Sequence, residues 1–140
     1  MTARDDTDGE AAAPTAFELL GGEARVRALV DRFYDLMAMD ERFAGIRALH
    51  PPMLDGSRDK LFWFLCGWMG GPNHYIERFG HPRLRARHLP FPIASAERDQ
   101  WLLCMAEAMA DRGVPQPLFD LLLEAFSGTA CLLYTSPSPR

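Results

Sequence analysis

The stretch that decides the reading is Gly80-His81-Pro82-Arg83-Leu84-Arg85-Ala86-Arg87-His88-Leu89-Pro90-Phe91. Its spacing predicts one very short helical segment, closed at both ends. Pro82 suits the first helical position, where a backbone N–H would have no intrahelical partner anyway. Pro90 disfavours helical geometry at Leu89 and ends the segment. Between the prolines lie Arg83, Arg85 and Arg87, with His88 one turn beyond Leu84 on the same face. On this reading His88 is a candidate metal ligand, and the rest of the chain has to supply the walls of a site around it.

Working outward, apolar residues recur at helical spacing. Upstream, residues 23–39 carry Val26, Leu29, Val30, Phe33 and Met37 on one face. Tyr34 stands at the edge of that face, where a tyrosine buries its ring and needs a partner for its hydroxyl. A backbone carbonyl would serve that need as well as a ligand. Before this helix, residues 17–20 form a short apolar turn stopped by Gly21-Gly22. Residues 40–53 read as a connection in which Pro51 and Pro52 bar helix through His50, a histidine that taken alone belongs in solvent. Residues 55–69 predict a second helix, with Asp55 or Ser57 as its N-cap. Leu61, Phe64, Leu65 and Trp68 share one side, while Phe62, Trp63 and Met69 spread apolarity further round, which marks a central helix. Gly70-Gly71-Pro72 stops it.

Residues 73–79 read as a loop with a helical turn. Downstream, Ser95 suits an N-cap for a helix to Asp111, striped by Trp101, Cys104, Met105 and Ala108. Pro117 opens a last helix with Leu118, Leu121, Leu122, Ala125 and Phe126 in register. Strand-like alternation is absent, so the class is all-α.

At 140 residues the chain makes one domain, long enough for a core without disulfides. Residues 1–14 read as a disordered tail, 15–130 as the folded domain, and 131–140 as a non-native tail. That last string, Cys-Leu-Leu-Tyr-Thr-Ser-Pro-Ser-Pro-Arg, is similar to a translated sequencing adapter. Hydrophobic residues make up 48%, which argues for a packed core, and the net charge of −4 argues against a nucleic-acid partner. There is no leader-like N-terminus and no apolar run long enough to span a membrane. Cys66, Cys104 and Cys131 form no CxxC, so a reducing, cytoplasmic setting is expected.

His74, His81 and His88 recur every seven residues, which suggests a zinc site. Gly80 and Pro82 interrupt any helix between them, so that spacing loses its geometry. Haem explains more. One neutral histidine supplies an axial ligand and leaves the other face open to a gas. Arg85, Arg87 and Lys60 suit haem propionates. Leu61, Phe64, Leu84 and Phe91 offer apolar walls, and Tyr34 and Trp101 offer O–H and N–H donors. The plainer alternative is that aromatic-rich helices simply form a core.

Several of these residues together carry a family resemblance. They are Gly21-Gly22, Arg32-Phe33-Tyr34, Gly70-Gly71-Pro72, the whole run Gly80 to Phe91, and Glu97-Arg98-Asp99-Gln100-Trp101 followed by Cys104-Met105. Over residues 17–130 the chain resembles the bacterial truncated haemoglobins of group II. The resemblance implies a two-over-two helical sandwich around haem b, with His88 as the proximal iron ligand. It implies a distal side formed by Tyr34, Trp101 and His50 as donors, with Ser57 at the distal gate. It implies reversible binding of O2 and other diatomic ligands such as NO and CO, with peroxide a further reactant; donors aimed at bound O2 would stabilise it, so slow release is expected. The alternative it leaves open is NO dioxygenation or peroxide reduction, fed by an unidentified reductase.

Overall fold

The computed structural model describes residues 13–80 and 95–135. Leu84, Arg85, Arg87, His88 and Phe91 lie outside the described residues.

The first helix, α1 (Ala16–Leu20), starts in a capping box. The Thr15 hydroxyl accepts from the Glu18 N–H at 3.1 Å, and Glu18 Oε1 accepts from the Thr15 N–H at 3.0 Å. Gly21 and Gly22 then turn the chain into α2 (Glu23–Met39), whose bounds match the sequence reading. All five residues of its expected stripe are buried, with Val26, Leu29, Val30 and Phe33 fully so.

Helix α2 runs through the middle of the molecule. It packs on α4 (Asp55–Trp68) and on α6 (Ser95–Asp111), and α6 packs on α7 (Gln116–Thr135). The result is two helix pairs stacked on one another, the two-over-two sandwich. Among the described residues there is no strand. The core between the pairs is sealed by Met37, Leu65, Cys66, Met105 and Met109, each at most 1% exposed.

The connection after α2 is more ordered than its sequence suggested. A 3-10 turn, Glu41–Phe43, leads into α3 (Ala44–Ala48), and both stop before Pro51. Asp40 caps the turn by accepting from the Arg42 N–H at 2.9 Å, and the Arg42 guanidinium bridges Asp40 to Glu107 on α6. Phe43 and Ile46 are thereby fixed as core residues. Helix α5 (His74–Phe79) follows α4 and packs against it.

Three local expectations need correcting. Neither Asp55 nor Ser57 caps α4; Leu54 holds the N-cap position and makes no side-chain cap hydrogen bond. Asp55 is instead the first helical residue, where its carboxylate favours the helix dipole. Leu121, in register with the apolar stripe of α7, is 56% exposed. That helix packs mainly on α6 and buries a narrower line, Leu118, Leu122 and Phe126. On α4 the deeply buried side is Leu65 and Cys66, with Met69 just beyond, whereas Leu61, Phe64 and Trp68 are only half-buried.

The Gly70-Gly71 pair does more than end α4. The Phe17 N–H donates to the Met69 carbonyl at 2.9 Å, which seats α1 on this turn. A Cβ at Gly71 would lie 2.6 Å from the Phe17 ring, and Gly70 has φ +96° with Thr15 against it. We expect Gly71→Ala to lower stability by about 1–3 kcal/mol, the usual cost of overpacking a close contact. Urea unfolding of the variant beside the parent checks this, and an unchanged midpoint would mean that α1 is dispensable to the fold.

Candidate functional site

Aromatic rings link four of the helices in one line. The His50 ring meets Tyr34 edge-on at 5.7 Å between centroids, and Tyr34 meets Phe33 at 5.1 Å. Phe33 meets Trp101 at 5.2 Å, Trp101 meets Phe126 at 5.4 Å, and Phe126 stacks on Trp68 at 4.7 Å. The structure thus connects Tyr34, His50 and Trp101, three residues far apart in sequence. Phe33 joins Tyr34 to Trp101, and Phe126 carries the line on to Trp68; their sequence positions mark both as core residues.

Tyr34 is 5% exposed, and among the described residues no hydrogen bond reaches its hydroxyl. The same holds for the indole N–H of Trp101, which is half-buried. An unsatisfied buried donor costs about 1–3 kcal/mol, so such groups ordinarily have a partner. The Tyr34 hydroxyl is such a group, and beside half-buried apolar side chains it fits a flat apolar macrocycle carrying a small polar ligand. Haem is such a macrocycle. The alternative of an ordinary core leaves the buried Tyr34 hydroxyl unexplained.

Burial holds the Tyr34 phenol well above the usual tyrosine range, against an opposing pull from the Arg58 guanidinium. Tyr34 is therefore an O–H donor at every pH the protein normally meets. Because the folded state keeps this proton and the unfolded state loses it near pH 10, stability falls as pH climbs past 10. We expect no Tyr34 tyrosinate absorbance at pH 10–11 while the protein stays folded, measured as the difference between parent and Tyr34→Phe. Ionisation at an ordinary midpoint in the native protein would contradict the buried setting.

His50 has a fixed tautomer. Its Nδ1 lies 2.8 Å from the Ile46 carbonyl, and a carbonyl oxygen only accepts, so Nδ1 carries the proton. In the neutral ring Nε2 is then an acceptor. His50 acts as a donor from Nε2 only as an imidazolium, which refines the donor role expected from sequence.

The other expected residues spread along α4. Ser57 is half-buried near the helix start. Leu61 packs against the core, and Phe64 meets Tyr75 edge-on at 5.9 Å. Lys60 is exposed, its ammonium 5.9 Å over the Phe79 ring and so toward α5.

Sequence reasoning missed Arg58. Its guanidinium pairs with Asp35 at 2.8 Å and Asp31 at 3.2 Å, and lies 5.9 Å over the Tyr34 ring. It ties the start of α4 to α2 directly over Tyr34. The available signal was the Asp31/Asp35 pair, two carboxylates one helical turn apart that repel unless a cation sits between them.

His74 does not share a site with this group. Its Nε2 is 2.9 Å from Glu23 Oε2, while His81 and His88 lie outside the described residues. Cys66 and Cys104 are buried thiols, and burial pushes their pKa values up to about 11 and about 12. Neither is poised as a nucleophile. Cys104 instead donates to the Phe33 carbonyl at 3.3 Å.

Comparison with known proteins matches residues 15–134 to the family described as bacterial-like globin. The group 2 truncated hemoglobin YjbI of Bacillus subtilis (strain 168) is 38% identical over 109 residues, 78% of this chain and 80% of that protein. Among solved structures, the group II 2-on-2 hemoglobin from the plant pathogen Agrobacterium tumefaciens is 42% identical with a TM-score of 0.83. The match covers 86% of this chain and 94% of that one. The truncated oxygen-avid haemoglobin from Bacillus subtilis is 36% identical with a TM-score of 0.78, over 86% of this chain and 98% of that one.

Proposed function

This chain belongs to the bacterial-like globins and, among them, to the group II truncated haemoglobins, and from that premise we propose that it holds haem b through His88 and binds O2 and related diatomic ligands with slow release. The observation that carries the reading is the buried Tyr34 hydroxyl, which has no hydrogen-bond partner among the described residues and is joined through Phe33 to the half-buried donor Trp101.

Haem, when bound, would supply an iron able to take a diatomic gas. His88 would hold that iron as a neutral imidazole. Arg85 and Arg87 suit the propionates, with the exposed Lys60 as a third cation for them. Leu61, Phe64, Leu84 and Phe91 give the ring its apolar walls.

Tyr34 and Trp101 would offer hydrogens to a bound ligand that draws electron density toward its outer atom. Such donors stabilise the bound state and slow its loss. The oxygen-avid character of the Bacillus subtilis relative supports the same tendency here. Ser57, small and half-buried, leaves the way in unobstructed by a larger side chain. Any turnover of NO or peroxide would draw electrons from a separate reductase. No described helix is long and apolar enough to cross a membrane.

Titrating the purified chain with haem tests the proposal. We expect an intense Soret band that saturates at one haem per chain and shifts on adding CO. Failure to develop that band would end the reading.

A further inference from the structure

We propose that Gln100 is a positioning residue for His50, acting across helix α3 from the neighbouring helix α6. The functional meaning of this arrangement rests on the haem-protein reading above.

Helix α3 is five residues long, far too short to persist by itself. Its N-cap residue, Phe43, makes no side-chain cap hydrogen bond. The cap comes from another element: Gln100 Oε1 accepts from the Ile46 N–H at 3.1 Å. The carboxamide lies flat against Gly45, where a Cβ would fall 2.8 Å from both Gln100 Oε1 and Nε2. Glycine at 45 is what lets Gln100 come this close.

The other end of the same turn is closed by His50. The Ile46 carbonyl accepts from His50 Nδ1–H at 2.8 Å and from the Leu49 N–H at 3.1 Å. One residue, Ile46, therefore takes Gln100 on its N–H and His50 on its carbonyl, and its side chain is buried. While Gln100 holds this turn, His50 is the Nδ1–H tautomer with an acceptor at Nε2. An acceptor beside the Tyr34 phenol competes for the proton that Tyr34 would give a ligand. A donor there would add to it. Gln100, next in sequence to Trp101, thus sets which of the two His50 is.

The test uses the full chain loaded with haem and CO, and the variants Gln100→Leu, Gln100→Glu and Gly45→Ala. The first removes the acceptor, the second keeps one, and the third pushes the carboxamide away. Nitrogen-15 NMR reads the His50 tautomer, assigned by its loss in His50→Gln. The C–O stretch reads the hydrogen bonding around the ligand. We expect the Nδ1–H form in the parent and in Gln100→Glu. In Gln100→Leu and Gly45→Ala we expect a mixed or Nε2–H form and a C–O stretch at lower frequency. O2 release in those two variants should slow about 2- to 12-fold, the equivalent of one neutral hydrogen bond. An unaltered tautomer in both variants would overturn the proposal. An altered tautomer with an unmoved C–O stretch would instead overturn the placement of His50 beside the ligand, and an absent Soret band the haem reading itself.

Discussion

His88→Gly is expected to leave a chain that folds but no longer gives the parent's ferrous haem spectrum. Its affinity for haem should fall by at least about 10- to 100-fold, a range already reached when a group that merely supports a metal ligand is lost. Imidazole added to the buffer should restore much of the spectrum by entering the space left by the side chain. The expectation rests on the setting of the residue in sequence, on a short arginine-rich segment fixed by Pro82 and Pro90. It is sharpened by where two other histidines are held. His74 is engaged by Glu23, and His50 by the Ile46 carbonyl with its ring edge-on to Tyr34. A variant with the parent's ferrous spectrum would remove His88 from the site.

The second large effect is on O2 release. Replacing both donors, as Tyr34→Phe with Trp101→Phe, should speed dissociation about 5- to 150-fold. That range takes each neutral hydrogen bond at roughly 0.5–1.5 kcal/mol and about 1.4 kcal/mol per decade. The single variants need not multiply to the double, since the rings of Tyr34 and Trp101 both pack on Phe33 and neighbouring sites couple. Stopped-flow displacement of O2 by CO measures all three. Rates within a factor of two of the parent in the double variant would show that neither side chain reaches the ligand.

Much of this architecture was legible before any coordinates. Helix α2 could be read to the residue because Val26, Leu29, Val30, Phe33 and Met37 share a buried stripe and Gly22 and Asp40 bound it. Tyr34 and Trp101 were legible as candidates because each is a polar-tipped aromatic beside such a stripe. Their connection through Phe33 was not, since ring-to-ring contact between helices leaves no local spacing. The N-terminus of α4 misled because Asp and Ser there imitate a cap, while Leu54, with no capping atom, takes the position and buries itself. Gly71 looked like a helix stop because the ring resting on it, Phe17, lies more than fifty residues earlier. The α3 turn escaped notice for a related reason: its cap, Gln100, belongs to another helix. Long-range partners of glycines and caps are what a linear pattern cannot carry.

The two sealed thiols have a practical consequence. A protein that meets oxygen and its reactive derivatives is exposed to sulphur oxidation, which proceeds through the thiolate. Cys66 and Cys104 have no exposed surface, and their protons are held to about 11 and about 12. In a Cys131→Ser background, a thiol reagent therefore has nothing to attack until the helix pairs separate. The rate at which the colour of a disulfide dye develops becomes a clock for that separation, running in the native buffer without denaturant and able to time how firmly any bound cofactor holds the molecule closed.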